Sequence, residues 1–208
     1  MRHRFGLATA LSFLVVLAAC SGTQSPSSDV AKADAQAPTT YQVRMETSKG
    51  PVVIDVNRVW APRGADRFYL LAKRGFYDQA RFFRVVPGFI VQFGMHAKPE
   101  ENAKWSNAEI QDDPVTQPNV KGTVSFAARG PNTRTSQVFI NLGDNSGSLD
   151  PQGFAVFGHV SQGMDLVEKI FSGYGQTPEQ ELINVRGNAY LLENFPKLDY
   201  IQKVTVTP

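Results

Sequence analysis

The sequence predicts a mainly β domain, a closed barrel of many short strands capped at its ends by two helices. Apolar runs rich in β-branched and aromatic residues recur throughout residues 41–208, and Gly, Pro, Asn and Asp separate them. Only two segments show apolar side chains at helical spacing. Because the strands are spread over this whole range, they must pair across wide sequence separations, as the strands of a barrel do.

The individual elements follow from local residue patterns. Residues 61–75 predict the first helix, because Pro62 suits a first helical turn and Gly75 ends the apolar periodicity. Residues 163–171 predict the second helix. Strands are predicted at residues 41–46, 51–56, on both sides of a turn within 82–94, and at 122–127, 137–141, 155–160 and 200–206. The remaining long segments are a polar loop over residues 97–119 and an excursion over residues 173–196. The sequence assigns no role to the excursion, for which a surface elaboration is the simplest alternative.

Residues 82–94, FFRVVPGFIVQFG, place two polar side chains in an apolar background. With a side-chain period of two, Arg84, Ile90 and Gln92 share one face of the sheet, and the Pro-Gly pair between them marks a tight turn. On this segment alone, Arg84 fits a second interpretation equally well. It could be a strand-edge arginine whose stem covers apolar surface while its head reaches water.

Residues 1–19 have the features of a bacterial signal peptide. Arg2, His3 and Arg4 give a positive start, and the apolar run that follows is too short to span a bilayer comfortably. The run ends in Leu-Ala-Ala before Cys20, which resembles the lipobox where bacterial lipoproteins are acylated and cleaved. Since Cys20 is the only cysteine in the chain, we expect it to be lipidated. An ordinary secretory signal is the alternative.

Residues 20–40 predict a flexible tether between the lipid and a folded domain of residues 41–208. Ser, Ala, Pro, Thr and Gln dominate the segment, which has no aromatic residue, leucine or isoleucine. Two or three acyl chains on Cys20 would anchor it stably in a membrane. Ser21 stands where many Gram-negative lipoproteins retained at the inner membrane have aspartate. The expected location is therefore the bacterial cell envelope, at the outer membrane facing the periplasm if the source is Gram-negative.

The charge argues against a nucleic-acid partner. The chain has 21 Lys and Arg residues and 19 Asp and Glu residues, and removal of Arg2 and Arg4 with the signal peptide makes the two numbers equal. A neutral mature chain has no basic stripe to neutralise phosphates.

The cysteine and the histidines argue against thiol and metal chemistry. Acylation of Cys20 would leave no disulfide and no thiol nucleophile. His96 and His159 have no partners at metal-ligand spacing, so no metal site is expected.

Three segments follow one another in the chain with a shared pattern: residues 82–94, residues 124–142 (VSFAARGPNTRTSQVFINL) and residues 154–160 (FAVFGHV). Together they resemble the signatures of the cyclophilins, a family of peptidyl-prolyl cis–trans isomerases, and the resemblance covers roughly residues 41–207. It implies an eight-stranded antiparallel barrel with capping helices. It also implies proline-containing polypeptide clients and no cofactor, and we expect a monomer.

The resemblance implies a site as well. Arg84 matches the catalytic arginine, which would donate to the substrate carbonyl or the prolyl nitrogen as the amide twists. The matching substrate-binding residues are Phe89, Ile90, Phe139 and Leu149 in the apolar proline pocket, Gln92, Ala128 and Gln137 along the peptide backbone, and Phe154 where eukaryotic members have histidine. Ser148 stands where cyclosporin-sensitive members have tryptophan. For Phe89 and Phe139, ordinary barrel core is the alternative interpretation.

Two other functions fit part of the sequence. A lipid-anchored barrel could carry an apolar ligand inside, as lipocalins do, but it would not need Arg84 and Gln92 on one outward face. A cyclophilin-like module could bind proline-containing clients without turning them over, but binding alone does not need Arg84. We therefore expect an isomerase acting on X-Pro bonds in envelope proteins. Rotation about the peptide bond has a barrier of ~18–20 kcal/mol. An enzyme can lower it by stabilising the twisted amide, which requires neither a nucleophile nor a metal.

Overall fold

The computed structural model of the chain describes Met1 and residues 36–208. The predicted signal peptide and Cys20 lie outside the described residues, and of the predicted tether only residues 36–40 lie within them. In this described part, no helix is both long and apolar enough to cross a membrane.

Eight antiparallel strands form one continuous sheet. The strands are β1 Thr40–Thr47, β2 Gly50–Asn57, β3 Arg84–Val86, β4 Ile90–Phe93, β5 Thr123–Phe126, β6 Val138–Asn141, β7 Val156–Gln162 and β8 Ile201–Thr207. Their spatial order is β3-β4-β6-β5-β7-β2-β1-β8. The predicted hairpin at the start of the domain is confirmed, with its register running from the Thr40–Asn57 pair to the Thr47–Gly50 pair. The other predicted strands are confirmed with boundaries shifted by a few residues.

The prediction of a closed barrel is wrong, because the sheet curls into a half-barrel whose two edge strands, β3 and β8, do not pair with each other. A single isolated bridge between Arg81 and Tyr200 spans the seam. Beside β3, the Val85 N–H donates instead to the carbonyl oxygen of Gly175, at 2.9 Å. The excursion of residues 173–196 therefore occupies part of the edge that a closed barrel would have paired with β8.

The prediction of two helices is also wrong, since six are present in residues 36–208. They are α1 Pro62–Lys73, α2 Pro99–Trp105, α3 Ser146–Leu149, α4 Met164–Val167, α5 Gln180–Arg186 and α6 Asn188–Asn194, and a 3₁₀ turn follows α3 at Asp150–Gln152. The first predicted helix is confirmed as α1, with Pro62 in its first turn. The second is a single turn, α4. The four helices that were missed are each four to seven residues long, too short to show a helical period in the sequence.

The inward side chains of the sheet pack against α1 and fill the half-barrel. Phe68 of α1 lies with its ring centroid 4.9 Å from that of Phe157, which in turn lies 5.3 Å from Phe126. All three side chains are buried. This packing leaves the interior occupied by the chain's own side chains and argues against a lipocalin-like carrier.

The excursion packs in a second, small apolar core together with Phe83 and Met95, which lie next to β3 and β4 in the chain. Its buried residues are Phe83, Met95, Ile183, Tyr190, Leu191, Phe195 and Leu198. The buried Asp199 carboxylate holds the end of the segment, because it accepts hydrogen bonds from the Ser48 hydroxyl and the Phe171 N–H, both at 2.7 Å. Residues 173–196 are therefore integrated into the fold through this shared core.

Candidate active site

A row of side chains crosses the outer face of the sheet. Arg84 on β3 lies directly opposite Gln92 on β4, and Gln92 lies opposite Phe139 on β6. Their sequence neighbours Val85 and Val91 point the other way, into the main core. The alternation of side chains predicted that Arg84 and Gln92 share a face, and the strand register places them so.

The Arg84 guanidinium is held by two contacts within this row. Its Nη1 donates to Oε1 of Gln92 at 3.1 Å, and its central carbon lies 5.9 Å from the ring centroid of Phe89. Burial lowers the pKa of Arg84 from its ordinary value. Arginine nevertheless stays charged at physiological pH, so the site presents a permanent cation whose remaining N–H donors are free to meet a substrate.

An apolar cluster lies beside the guanidinium and is separate from the main core. Ile90, Phe139 and Leu149 are only 2%, 3% and 6% exposed, and Phe89 and Phe154 pack against them. The rings of Phe139 and Phe154 meet edge to face with centroids 5.8 Å apart. Phe89 and Phe139 are thus walls of a surface pocket, not members of the main core.

The row and the apolar cluster enclose one cavity of about 390 Å³. The residues singled out from the sequence all line it, namely Arg84, Phe89, Ile90, Gln92, Ala128, Gln137, Phe139, Leu149 and Phe154. They come from well-separated parts of the chain, and the sheet register and the loops between the strands bring them together. The cavity joins a polar half to an apolar half, which suits a ligand that is itself an apolar ring within a hydrogen-bonding backbone.

A buried asparagine, which sequence reasoning missed, fixes the loop that forms the apolar wall. Asn119 is 0% exposed, and both its N–H and its Nδ2 donate to Oδ1 of Asp150, at 3.0 and 2.7 Å. The same Nδ2 donates to the Phe154 carbonyl at 2.7 Å. Leu149 and Phe154 flank this point, so the network holds both side chains over the pocket. Polar residues in loops carry no periodic signal, which is why Asn119 was not identified.

Six residues that were not predicted from the sequence also line the cavity, and two of them, Ala127 and Gln180, show how the site is held. The Ala127 N–H donates to the Gln137 carbonyl at 2.9 Å, so this backbone group is already paired within the sheet. Ala128, the residue predicted to offer backbone groups to a peptide, is its neighbour. Gln180 begins α5 and accepts a hydrogen bond from Gln137 across 43 positions of sequence, at 3.1 Å. Nothing in the local sequence indicates so distant a contact.

No metal centre competes with this site in the described part of the chain. There, no three His, Cys, Asp or Glu side chains cluster in a way that could hold a metal ion. The cavity wall itself contains no histidine and no carboxylate. The chemistry available at the site is therefore hydrogen-bond donation from a cation beside an apolar slot.

Comparison with known proteins assigns the fold and the family. A family model described as cyclophilin type peptidyl-prolyl cis-trans isomerase/CLD matches residues 42–187. A peptidyl-prolyl cis-trans isomerase of Acinetobacter baylyi is 36% identical over 133 residues, which cover 62% of this chain and 70% of that protein. The Arabidopsis thaliana isomerase CYP18-2 is 34% identical over 134 residues, 63% of this chain and 80% of that protein.

Solved structures agree on the fold. The crystal structure of a Cryptosporidium parvum cyclophilin type isomerase superposes with a TM-score of 0.60 at 20% identity, covering 81% of this chain and 98% of that one. At that identity the likeness speaks for the fold alone, while the family model covers most of the present sequence. With its eight antiparallel strands and its outward-facing cavity, the chain belongs to the cyclophilin-type peptidyl-prolyl cis–trans isomerases and is an enzyme of that class.

Proposed function

We propose that the cavity binds proline-containing polypeptides and that Arg84 is its catalytic residue. The observation that carries this proposal is the position of the guanidinium, which donates to Gln92 and lies beside the ring of Phe89, a residue that packs against the apolar pocket. A Cryptosporidium parvum isomerase of the same fold was crystallised in the presence of the dipeptide Ala-Pro. A pyrrolidine ring is apolar and compact, and the apolar half of the cavity matches it in chemistry.

The geometry supports a mechanism that needs only binding and electrostatics. Rotation about an X-Pro bond is slow because the nitrogen lone pair is delocalised into the carbonyl, with a barrier of ~18–20 kcal/mol. When the amide twists, the prolyl nitrogen regains its lone pair and becomes a better hydrogen-bond acceptor. A donor from Arg84 then stabilises the twisted state more than either planar isomer, and such selective stabilisation lowers the barrier. In this proposal, Gln92 and Gln137 hydrogen-bond the peptide backbone during the rotation.

The proposal is tested by replacing Arg84. We expect Arg84→Ala to lower kcat/KM on a short X-Pro peptide by at least ~10²-fold, since about 2.7 kcal/mol of transition-state stabilisation is lost. Arg84→Lys should also be impaired, because the charge remains but the planar fork of donors does not. A protease-coupled or NMR exchange assay measures both.

The matched control is Arg44→Ala, which removes a guanidinium from the exposed face of β1, where Arg44 pairs with Glu46. Its kcat/KM should equal that of the wild type. Full activity in Arg84→Ala, with an unchanged circular dichroism spectrum, would show that Arg84 is only structural.

We also propose that the enzyme works on proteins of the bacterial cell envelope while anchored through lipidated Cys20. The support is in the sequence: a lipobox-like Leu-Ala-Ala-Cys at the end of an apolar segment, and a polar tether of residues 20–40. A tether of this length spans on the order of 25 Å as a flexible coil. The catalytic domain would therefore reach clients beside the membrane and not within it.

A further inference from the structure

A relay of three glutamines joins the cavity to the excursion of residues 173–196. Nη1 of Arg84 donates to Oε1 of Gln92 at 3.1 Å, and Nε2 of Gln92 donates to Oε1 of Gln137 at 2.8 Å. Nε2 of Gln137 in turn donates to Oε1 of Gln180, the first residue of α5, at 3.1 Å. Gln92 and Gln137 each accept through the amide oxygen on the side of Arg84 and donate through the amide nitrogen on the side of Gln180.

Arg84 determines the direction of this relay. A guanidinium has donors only, so Gln92 must turn its amide oxygen toward Arg84 and its NH₂ group toward Gln137. Gln137 must then present its oxygen to Gln92, which leaves its own NH₂ group for the next partner. The last residue of the relay therefore has to be an acceptor. Gln180 supplies that acceptor.

The position of Gln180 is fixed by the core of the excursion. Ile183, one turn further along α5, is 1% exposed and packs with Tyr190 and the other residues of that core. The Glu179 N–H donates to the Tyr190 hydroxyl at 3.3 Å, just before the helix begins. Gly175 of the same segment accepts from Val85, the neighbour of Arg84 on β3. The acceptor is thus held in register with the strand that carries the guanidinium.

We propose that Gln180 is a positioning residue of the isomerase site. It keeps the Gln137 amide in one orientation, and through it the Gln92 amide, so that Gln92 presents an oxygen to Arg84 at every turnover. This role rests on the proposed catalytic function of Arg84. It also makes residues 173–196 part of the active site, although no residue of that segment needs to touch the proline.

Three substitutions test the acceptor requirement. Gln180→Glu keeps an acceptor and should retain kcat/KM within about twofold, whereas Gln180→Ala removes it and should lower kcat/KM about threefold, as expected for one exposed hydrogen bond. Gln180→Lys presents only donors and should force the amides to turn, with a loss of about tenfold. Glu181→Gln is the matched control, since it adds the same positive increment of charge at the adjacent exposed position. It should behave as the wild type, and thermal unfolding should confirm that all variants are folded.

A double-mutant cycle with Arg84→Ala separates this proposal from the proposed function. If the relay acts through Arg84, Gln180→Lys should cause no further loss in the Arg84→Ala background. Equal impairment of Gln180→Glu and Gln180→Lys would overturn the relay, because a steric role does not distinguish acceptor from donor. Additive losses in the cycle would overturn it as well. Full activity of Arg84→Ala would instead contradict the proposed function, whatever the Gln180 variants show.

Discussion

At the scale of single residues, the site combines a permanent positive charge with neighbours that do not change their protonation state near neutral pH. Arg84 lies at the boundary between the polar and apolar halves of the cavity, bonded to the Gln92 amide and close to the Phe89 ring. Apart from Arg84 and Arg129, the cavity wall consists of neutral side chains. Phe154 occupies the place where the family resemblance implied a histidine in eukaryotic members. The protonation state of the site is therefore constant across the physiological range.

This constancy predicts a flat pH profile. Arg84 loses its charge only above its pKa. Burial lowers that pKa, but an arginine pKa remains far above neutrality, so the guanidinium stays charged at neutral pH. We expect kcat/KM on a short X-Pro peptide to vary less than about twofold between pH 6 and pH 9. An uncoupled NMR exchange assay measures this without a pH-sensitive protease. A fall in activity toward pH 6 would reveal a titrating group that the cavity geometry does not show.

The residue pattern predicted which side chains meet in the cavity, but not what orients them. Arg84, Phe89, Gln92 and Phe139 lie in or beside strands, where a period of two and a motif resemblance are informative. Asn119 and Gln180 act through hydrogen bonds over 31 and 43 positions, and no local pattern encodes such contacts. The structure brings the predicted residues together, while their individual roles stay predictions.

At the scale of elements, strands were easier to predict than helices. β1 and β3 alternate between buried and more accessible side chains, and even the three-residue β3 lies in a recognisable strand–turn–strand segment. The helices α5 and α6 have two turns each. Gly187 lies between them, and its positive φ of 56° ends the first helix before the second begins. Their stability comes from packing on Phe83 and Met95, which lie 85 or more positions earlier in the chain. The prediction of a closed barrel was wrong for the same reason. Whether β3 and β8 pair depends on where the excursion packs, and that is decided by contacts between distant parts of the chain.

In the segment formed by α3 and the following 3₁₀ turn, the serine at position 148 leads us to expect weak inhibition by cyclosporin. Ser148 lines the cavity where the family resemblance implied a tryptophan, and its hydroxyl donates to its own loop, to the Asn145 carbonyl at 3.1 Å. An indole would offer a broad apolar face and an N–H donor that serine lacks. An inhibition titration should show weak binding with ordinary peptide turnover.

Ser148→Trp provides the complementary variant. It should lower the inhibition constant at least about tenfold, roughly 1.4 kcal/mol, while kcat/KM stays near the wild-type value. Low-nanomolar inhibition of the wild-type protein would show that another side chain replaces the indole.

At the scale of the whole molecule, the lipid anchor is the feature that the sequence predicts and that lies outside the described residues. If Leu-Ala-Ala-Cys is a lipobox, Cys20→Ala should block acylation and cleavage by signal peptidase II, and a precursor of higher apparent mass should accumulate. Metabolic labelling with a clickable fatty acid, followed by gel electrophoresis, measures both effects. Thr23→Ala, a change within the tether, should be labelled normally. An unlabelled wild-type protein would rule the lipobox out.

The pairing of the first strand with the last has a consequence for how the chain acquires its structure. β1 is hydrogen-bonded to β8 along most of its length, and β2 to β7, so the earliest strands of the domain complete their sheet only with the latest ones. A chain threaded through a translocation channel from its amino end cannot finish folding until its final residues have left the channel. Contacts of such long range also form slowly. If the chain is exported, as the predicted signal peptide implies, this topology would keep it unfolded during its passage.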